Sequence, residues 1–234
     1  MGASTRIQIL ANPLVVNICL IYHRYMVTSR GTDRRIYTSP RRQQQAAETR
    51  AAVLAAAGAL FCEKGWALTG VRDVATAAGV SVETVYSYFG SKADLLMAAV
   101  DVAVVGDTQP VALADRAEFA ALGVGMLAER AAAAASLVTG THVRTAGIFL
   151  ALREAAAADP ALAERMRNGE QRRRVSVEQG MSLVAGRPVT PQERDGLWAI
   201  AGVDVYRLLT ELSRWTREEY ETWLAGMLLR VLGQ

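Results

Sequence analysis

Between residues 72 and 92 the chain gathers its most chemically capable side chains: Arg72, Glu83, Thr84, Tyr86, Ser87, Tyr88 and Lys92. They form neither a nucleophile with its base nor a set of metal ligands. They are short hydrogen-bonding groups, phenols and cations, the kinds that meet base edges and phosphate oxygens. Glu83 is the misfit, because phosphates repel a carboxylate unless it accepts from a cytosine amino group; alternatively it is only an acid placed well near a helix N-terminus. Lys92 directly follows Ser91, an N-cap residue, and so sits where the helix dipole disfavours a cation. A DNA phosphate would answer the ammonium and the helix-start N–H groups together. The competing reading is a solvated lysine tolerated at small cost.

Holding these groups on one surface requires two short helices and a tight turn. Val71, Val74, Ala75 and Ala78 recur at helical spacing, and Gly79 follows where a positive φ is needed. Val80 anchors the turn, and Ser81 caps a second helix whose buried side is Val82, Val85 and Phe89, at i, i+3 and i+7. That pattern is a helix-turn-helix, with Glu83, Thr84, Tyr86, Ser87 and Tyr88 pointing outward. Upstream, Val53, Leu54, Ala57, Leu60 and Phe61 predict a helix over 42–64 stopped by Gly65, with Trp66 packed under the following loop. Downstream, Ser91 and Asp94 form a capping pair for a fourth helix running through Leu95, Leu96, Ala99, Val100 and Ala103 to Gly106.

The stretches Thr69 to Ala75 and Ala78 to Lys92 resemble the DNA-binding domain of the TetR (tetracycline-repressor-like) family, and the resemblance runs from about Glu48 to Val100. Gly70 departs from the Thr or Ser that many members carry there, which weakens a cap. The resemblance implies that Val82, Glu83, Thr84, Tyr86, Ser87 and Tyr88 lie in the major groove, that Arg72 reaches a base or phosphate at its rim, and that Lys92 holds a phosphate. It further implies a homodimer formed by the last two helices on a double-stranded operator, and a small-molecule effector between the C-terminal helices that releases the DNA. A constitutive DNA-binding protein without an effector would show the same motif.

Composition bounds the rest. The chain has 234 residues, 51% hydrophobic but only 6% aromatic, with alanine runs at 131–135 and 155–158, and reads as all-α. Of its net charge of +3, residues 1–47 supply +6, from seven arginines against Asp33, and the remainder supplies −3. The helix-turn-helix itself is not basic. The arm could carry salt-sensitive affinity or insert an arginine into a minor groove, or be an ordinary disordered basic tail. Cys19 and Cys62 show no pairing or metal spacing, which fits a reducing cytoplasm. An enzyme is not expected. There are two histidines, His23 and His142, no Gly-x-Ser-x-Gly or Gly-x-Gly-x-x-Gly motif, and Gly90-Ser91-Lys92 lacks the order of a phosphate loop. No cofactor or metal site is indicated.

Near the N-terminus, the apolar run from Ile7 to Ile21 is broken by Asn12, Pro13 and Asn17 and is too short to span a bilayer. A signal peptide, a membrane attachment and a true start at Met26 are its competing readings; the expectation is a protein off the membrane. Beyond a break at Asp107 to Pro110, helices are predicted over 114–137, 141–158, 160–183, 190–213 and 217–231, making nine. Their punctuation is Asp159-Pro160, Gly186-Arg187-Pro188, and capping boxes at Thr190 and Thr216. Trp198, Ala201, Val205, Leu208, Leu209 and Leu212 stripe the eighth helix, and Trp223, Met227, Leu228 and Val231 the ninth, as core or dimer contacts. Polar residues among apolar ones, His142, Arg144, Arg153, Glu154, Asp204 and Tyr206, are the effector-site candidates, whereas Arg172-Arg173-Arg174 reads as a solvated face. The expected division is a basic extension (1–41), a DNA-binding domain (42–106), and an effector-binding and dimerisation domain (107–234).

Overall fold

A computed structural model describes residues 39–109, 111 and 113–233. Cys19, His23, the Ile7 to Ile21 run, the Met26 start and all but the end of the basic arm lie outside the described residues. Among the described residues there is no strand. Helix α1 (Pro40–Leu68) kinks at Gly65, whose φ of 74° and ψ of −174° break the ladder where the sequence places the stop. Helices α2 (Val71–Ala78), α3 (Val82–Phe89) and α4 (Lys92–Val105) follow. Gly79 adopts φ 68° and ψ 31°, the left-handed conformation the turn demands, and its N–H donates to the last carbonyls of α2.

Ser91 caps α4 as its sequence predicts: its Oγ accepts from the Asp94 N–H at 3.0 Å and donates to the Asp94 carboxylate at 2.6 Å. Ser91→Ala is expected to lower stability by about 1 kcal/mol, read as a lower urea midpoint at unchanged slope.

Beyond Gly106 the chain turns through two single 3-10 turns and the short helix α5 (Ala117–Ala120) before the long α6 (Leu127–Ala158). The two helices expected over 114–137 and 141–158 are therefore one helix with a later start. Glu129 accepts the Met126 N–H at 2.7 Å and fixes that start, while Arg116 pairs with Asp107 at 2.6 Å and holds the preceding segment back. Thr139-Gly140-Thr141 does not break α6 because both hydroxyls bond within the helix, to the Ala135 and Leu137 carbonyls at 2.7 and 2.9 Å.

Helix α7 (Pro160–Ala185) begins at the Asp159 cap, and α8 (Pro191–Ile200) and α10 (Arg217–Leu232) begin at the Thr190 and Thr216 capping boxes. The expected single helix from 190 to 213 is instead interrupted at Ala201–Gly202, resumes as α9 (Val203–Arg207) and widens into a π turn at Leu208–Leu212. The reason lies off the helix. Arg173 of α7 donates to the Trp198 and Ala201 carbonyls at 3.1 and 3.4 Å, and His142 of α6 bonds Ala201 at 3.2 Å, so the carbonyls at the end of α8 find partners outside a continuing ladder.

Two cores result. One joins Val53, Phe61, Val74, Val85 and Leu95 of α1–α4 to Ile148, Leu152 and Ala155 of α6, so packing runs straight across the boundary drawn at residue 106. The other joins Ala131, Ala134 and Ala135 of α6 to Leu197, Tyr220, Leu224 and Leu228.

Candidate nucleic-acid interface

Helix α3 is eight residues held by local chemistry. Ser81 Oγ accepts from the Thr84 N–H at 3.2 Å and lies 3.1 Å from the Thr84 hydroxyl, fixing both at the helix start. Val85 and Phe89 are buried, which turns Glu83, Tyr86, Ser87 and Tyr88 outward; Tyr86 stands 48% exposed. Val82 is only half-exposed and packs on the core beside Val85, so a base contact from it is confined to the edge of its side chain. The Glu83 N–H and the Ser81 hydroxyl hold the Glu83 carboxyl below the usual range, as for an acid in a first helical turn. Arg72 is exposed in the first turn of α2.

Two residues depart from expectation. Tyr88 leans back, its hydroxyl donating to the Ala46 carbonyl of α1 at 3.3 Å, so α3 is tied to α1 by one of its own outward residues. Lys92 does not project from the start of α4. Its ammonium donates to the Trp66 carbonyl at 2.5 Å and sits 4.1 Å from the centre of the Trp66 ring. Partial burial lowers its pKa while the Glu154 carboxylate raises it. An anion that answers Lys92 thus lies inside the chain, and a phosphate contact as read from the sequence would share the ammonium with these partners.

Sequence reading missed the first turns of α1. Arg42, Gln45 and Thr49 line a shallow groove of about 390 Å³ with Ser81, Thr84 and Tyr88, placing a cation and two polar groups beside α3. The signal was there in Ser39-Pro40 followed by Arg41-Arg42-Gln43-Gln44-Gln45, a polar helix start with two cations at its positive end.

The effector candidates separate into four places. His142 and Tyr206 meet with ring centres 5.5 Å apart, and Tyr220 packs edge-on against Tyr206 at 4.9 Å. The Tyr220 side chain is fully buried and its hydroxyl has no hydrogen-bond partner among the described residues. Burial pushes the Tyr220 phenol out of reach of ordinary titration and lowers His142 to about 4, so both are neutral. Arg153 and Asp204 pair on the surface at 2.5 Å. Arg144 lies elsewhere, donating to the Ala103 and Val104 carbonyls at 2.9 and 3.1 Å and closing the end of α4. Glu154 accepts the Trp66 and Ala67 N–H groups at 2.7 and 3.1 Å. These contacts set His142 with Tyr206, Arg153 with Asp204, and Arg144 apart from both at the end of α4. The arginine run is not simply solvated: Arg174 grips Asp195 at 2.6 Å, and Arg173 caps α8 over the Trp198 ring. No group of metal-ligating side chains occurs among the described residues.

Residues 53–99 match the family of bacterial regulatory proteins, tetR family. No curated protein sequence matches the chain. Solved structures share its fold. One is a Rhodococcus sp. protein assigned as a TetR-family transcriptional regulator, at 21% identity and TM-score 0.60, with 80% of this chain and 99% of that one covered. Another is a transcriptional regulator from Rhodococcus sp. Rha1, at 24% identity and TM-score 0.55, covering 77% and 96%. A third is the multidrug binding protein EbrR in complex with imidazole, at 21% identity and TM-score 0.50, covering 86% and 97%. The matched stretch runs from the middle of α1 into α4 and includes α3 with its polar face turned outward, so over these residues the chain is similar to the bacterial regulatory proteins of the tetR family.

Proposed function

We propose that this protein is a DNA-binding regulator of transcription, a repressor bound as a homodimer to a palindromic operator and released by a small molecule. The observation that carries the DNA half is the outward face of α3, with Glu83, Thr84, Tyr86 and Ser87 presented beside Arg42, Gln45 and Thr49 of α1. In this reading Tyr86 and Ser87 read bases, Arg42 and Arg72 hold phosphates, and Arg42 takes the role first given to Lys92. Dimerisation is supported by Trp223, Met227 and Val231, which fall at i, i+4 and i+8 on α10 and stay half-exposed, and by Leu208 and Leu212 at 54% and 74% exposure. A two-fold dimer supplies what one short helix lacks, a second half-site. The effector reading rests on the aromatic group of His142, Tyr206 and Tyr220, where a buried phenol without a hydrogen-bond partner among the described residues leaves a hydrogen bond for a ligand acceptor to complete. EbrR, a multidrug binding protein, shares this fold.

Fluorescence anisotropy on DNA from upstream of the protein's own gene, against a scrambled duplex, tests the reading. Tyr86→Ala is expected to weaken the natural duplex roughly 10- to 100-fold and to spare the scrambled one. Arg42→Ala is expected to weaken both alike and reduce the salt slope by about one. Equal effects of Tyr86→Ala on both duplexes would overturn the base-reading role. A ligand screen in the same assay that finds no compound releasing the DNA would favour a constitutive binder.

A further inference from the structure

The kink at Gly65 leaves the N–H groups of Trp66 and Ala67 without helical partners, since the ladder that would serve them is broken there. Both are taken by one carboxylate, Glu154, which arrives from α6 with a separation of 88 residues from Trp66. The fit is close: a Cβ on Gly65 would lie 2.8 Å from Glu154 Oε2. The charge of the same carboxylate acts on Lys92, whose ammonium takes the Trp66 carbonyl and so ties the first residue of α4 into the knot. Thr69, fully buried, closes it toward α2, its hydroxyl donating to the Gly65 and Leu60 carbonyls at 2.7 and 3.1 Å. From Glu154 to the start of α2 there are only backbone steps.

One residue earlier, Arg153 holds Asp204 of α9. Consecutive residues of α6 thus grip α9 on one side and the kink on the other. Among the described residues, Arg144 bonds the end of α4, Arg165 pairs with Asp94 of α4 at 2.7 Å, and the Cys62 thiol of α1 bonds the Ile148 backbone of α6. Glu154 reaches the segment leading directly into α2 and α3.

We propose that Glu154 is a positioning residue, which sets α2 and α3 against the body of the chain and carries a displacement of α6 to them. The proposal rests on the dimeric DNA-reader interpretation only for how that displacement is used.

The test is amide hydrogen exchange on the full-length protein, comparing wild type with Glu154→Gln and Glu154→Ala. Glutamine keeps one acceptor oxygen and the packing of the stem; alanine keeps neither. Exchange at Trp66 and Ala67 is expected to quicken at least tenfold in the alanine variant and by less in the glutamine variant, with α2 and α3 following and the slow amides of α7 and α10 unchanged. Unchanged exchange at Trp66 and Ala67 would overturn the proposal, as would equal acceleration of every helix, which marks plain loss of stability. A second arm places a spin label at Ser87→Cys in a Cys19→Ser, Cys62→Ser background and reads the distance between the two copies. The wild-type distribution is expected to be narrow and that of Glu154→Ala broad; equal widths would count against the proposal. No dipolar signal in wild type would sink the dimer interpretation while leaving the exchange test intact.

Discussion

Alanine at position 65 is expected to lower stability by about 3 kcal/mol, a fall in melting temperature of roughly 6–12 °C for a chain of this size. Two effects add. The backbone at Gly65, with φ 74° and ψ −174°, lies in a region that residues with a Cβ enter only at a cost of about 1–3 kcal/mol. The new methyl also meets Glu154 Oε2 at 2.8 Å, and the carboxylate must withdraw from the Trp66 and Ala67 N–H groups to make room. A double-mutant cycle separates the effects. In a Glu154→Ala background the carboxylate is already gone, so Gly65→Ala is expected to cost about 1 kcal/mol less than in wild type, the remainder being backbone strain. Full additivity would mean that the two residues do not meet in solution. An undiminished melting temperature in Gly65→Ala alone would mean that the kink is not there.

What could be read from the sequence divides along the distance over which the deciding contact acts. Ser81, Ser91, Thr190 and Thr216 cap helices through partners three residues away, and every one of these starts is found where the pattern puts it. The stop at Gly65 and the turn at Gly79 are equally local. Contacts between residues distant in sequence were not legible in it. Lys92 looked like a cation in need of an external anion because Trp66 is 26 residues away and Glu154 further still. Arg144 looked like a pocket residue because nothing in its own helix shows that it closes α4. The break at Ala201–Gly202 has the same origin, since the groups that satisfy the freed carbonyls stand on α6 and α7. Thr139-Gly140-Thr141 misled in the opposite direction: residues that favour turns carry on a helix when their hydroxyls bond back along it and neighbours bury it. At the interface, side-chain type and the burial of Val85 and Phe89 were enough to orient α3. The contribution of α1 needed the fold, because only tertiary packing brings Arg42 beside Thr84.

His142 is expected to make the protein lose about 3 kcal/mol of stability between pH 6.5 and 4. Its ring is buried between α6 and the end of α8, Nε2–H donating to the Ala201 carbonyl, with Arg173 close by. Burial dominates, penalising the imidazolium and bringing the folded pKa down from 6.5 to about 4; the Ala201 bond opposes it, and the Arg173 charge adds the smallest effect in the same direction as burial. The sign follows from proton uptake. In that interval the unfolded chain binds a proton at this position and the folded chain does not, so acid favours unfolding, and the loss is complete once the pH falls below the folded pKa. The strongly paired carboxylates titrate lower. Asp107, Glu193 and Asp195 are held to about 2 by their arginine partners, helped by a backbone N–H at Asp107 and Glu193, so what they contribute fades below pH 4.5. Urea unfolding of wild type and His142→Gln at pH 7, 5.5 and 4.5 isolates the histidine, because every other titration cancels in the difference. The wild type is expected to lose roughly 2–3 kcal/mol more than the variant over that range. Parallel curves would mean that His142 takes up its proton in the folded protein, which would require the end of α8 to open and the Ala201 carbonyl to stay as its acceptor against the Arg173 charge.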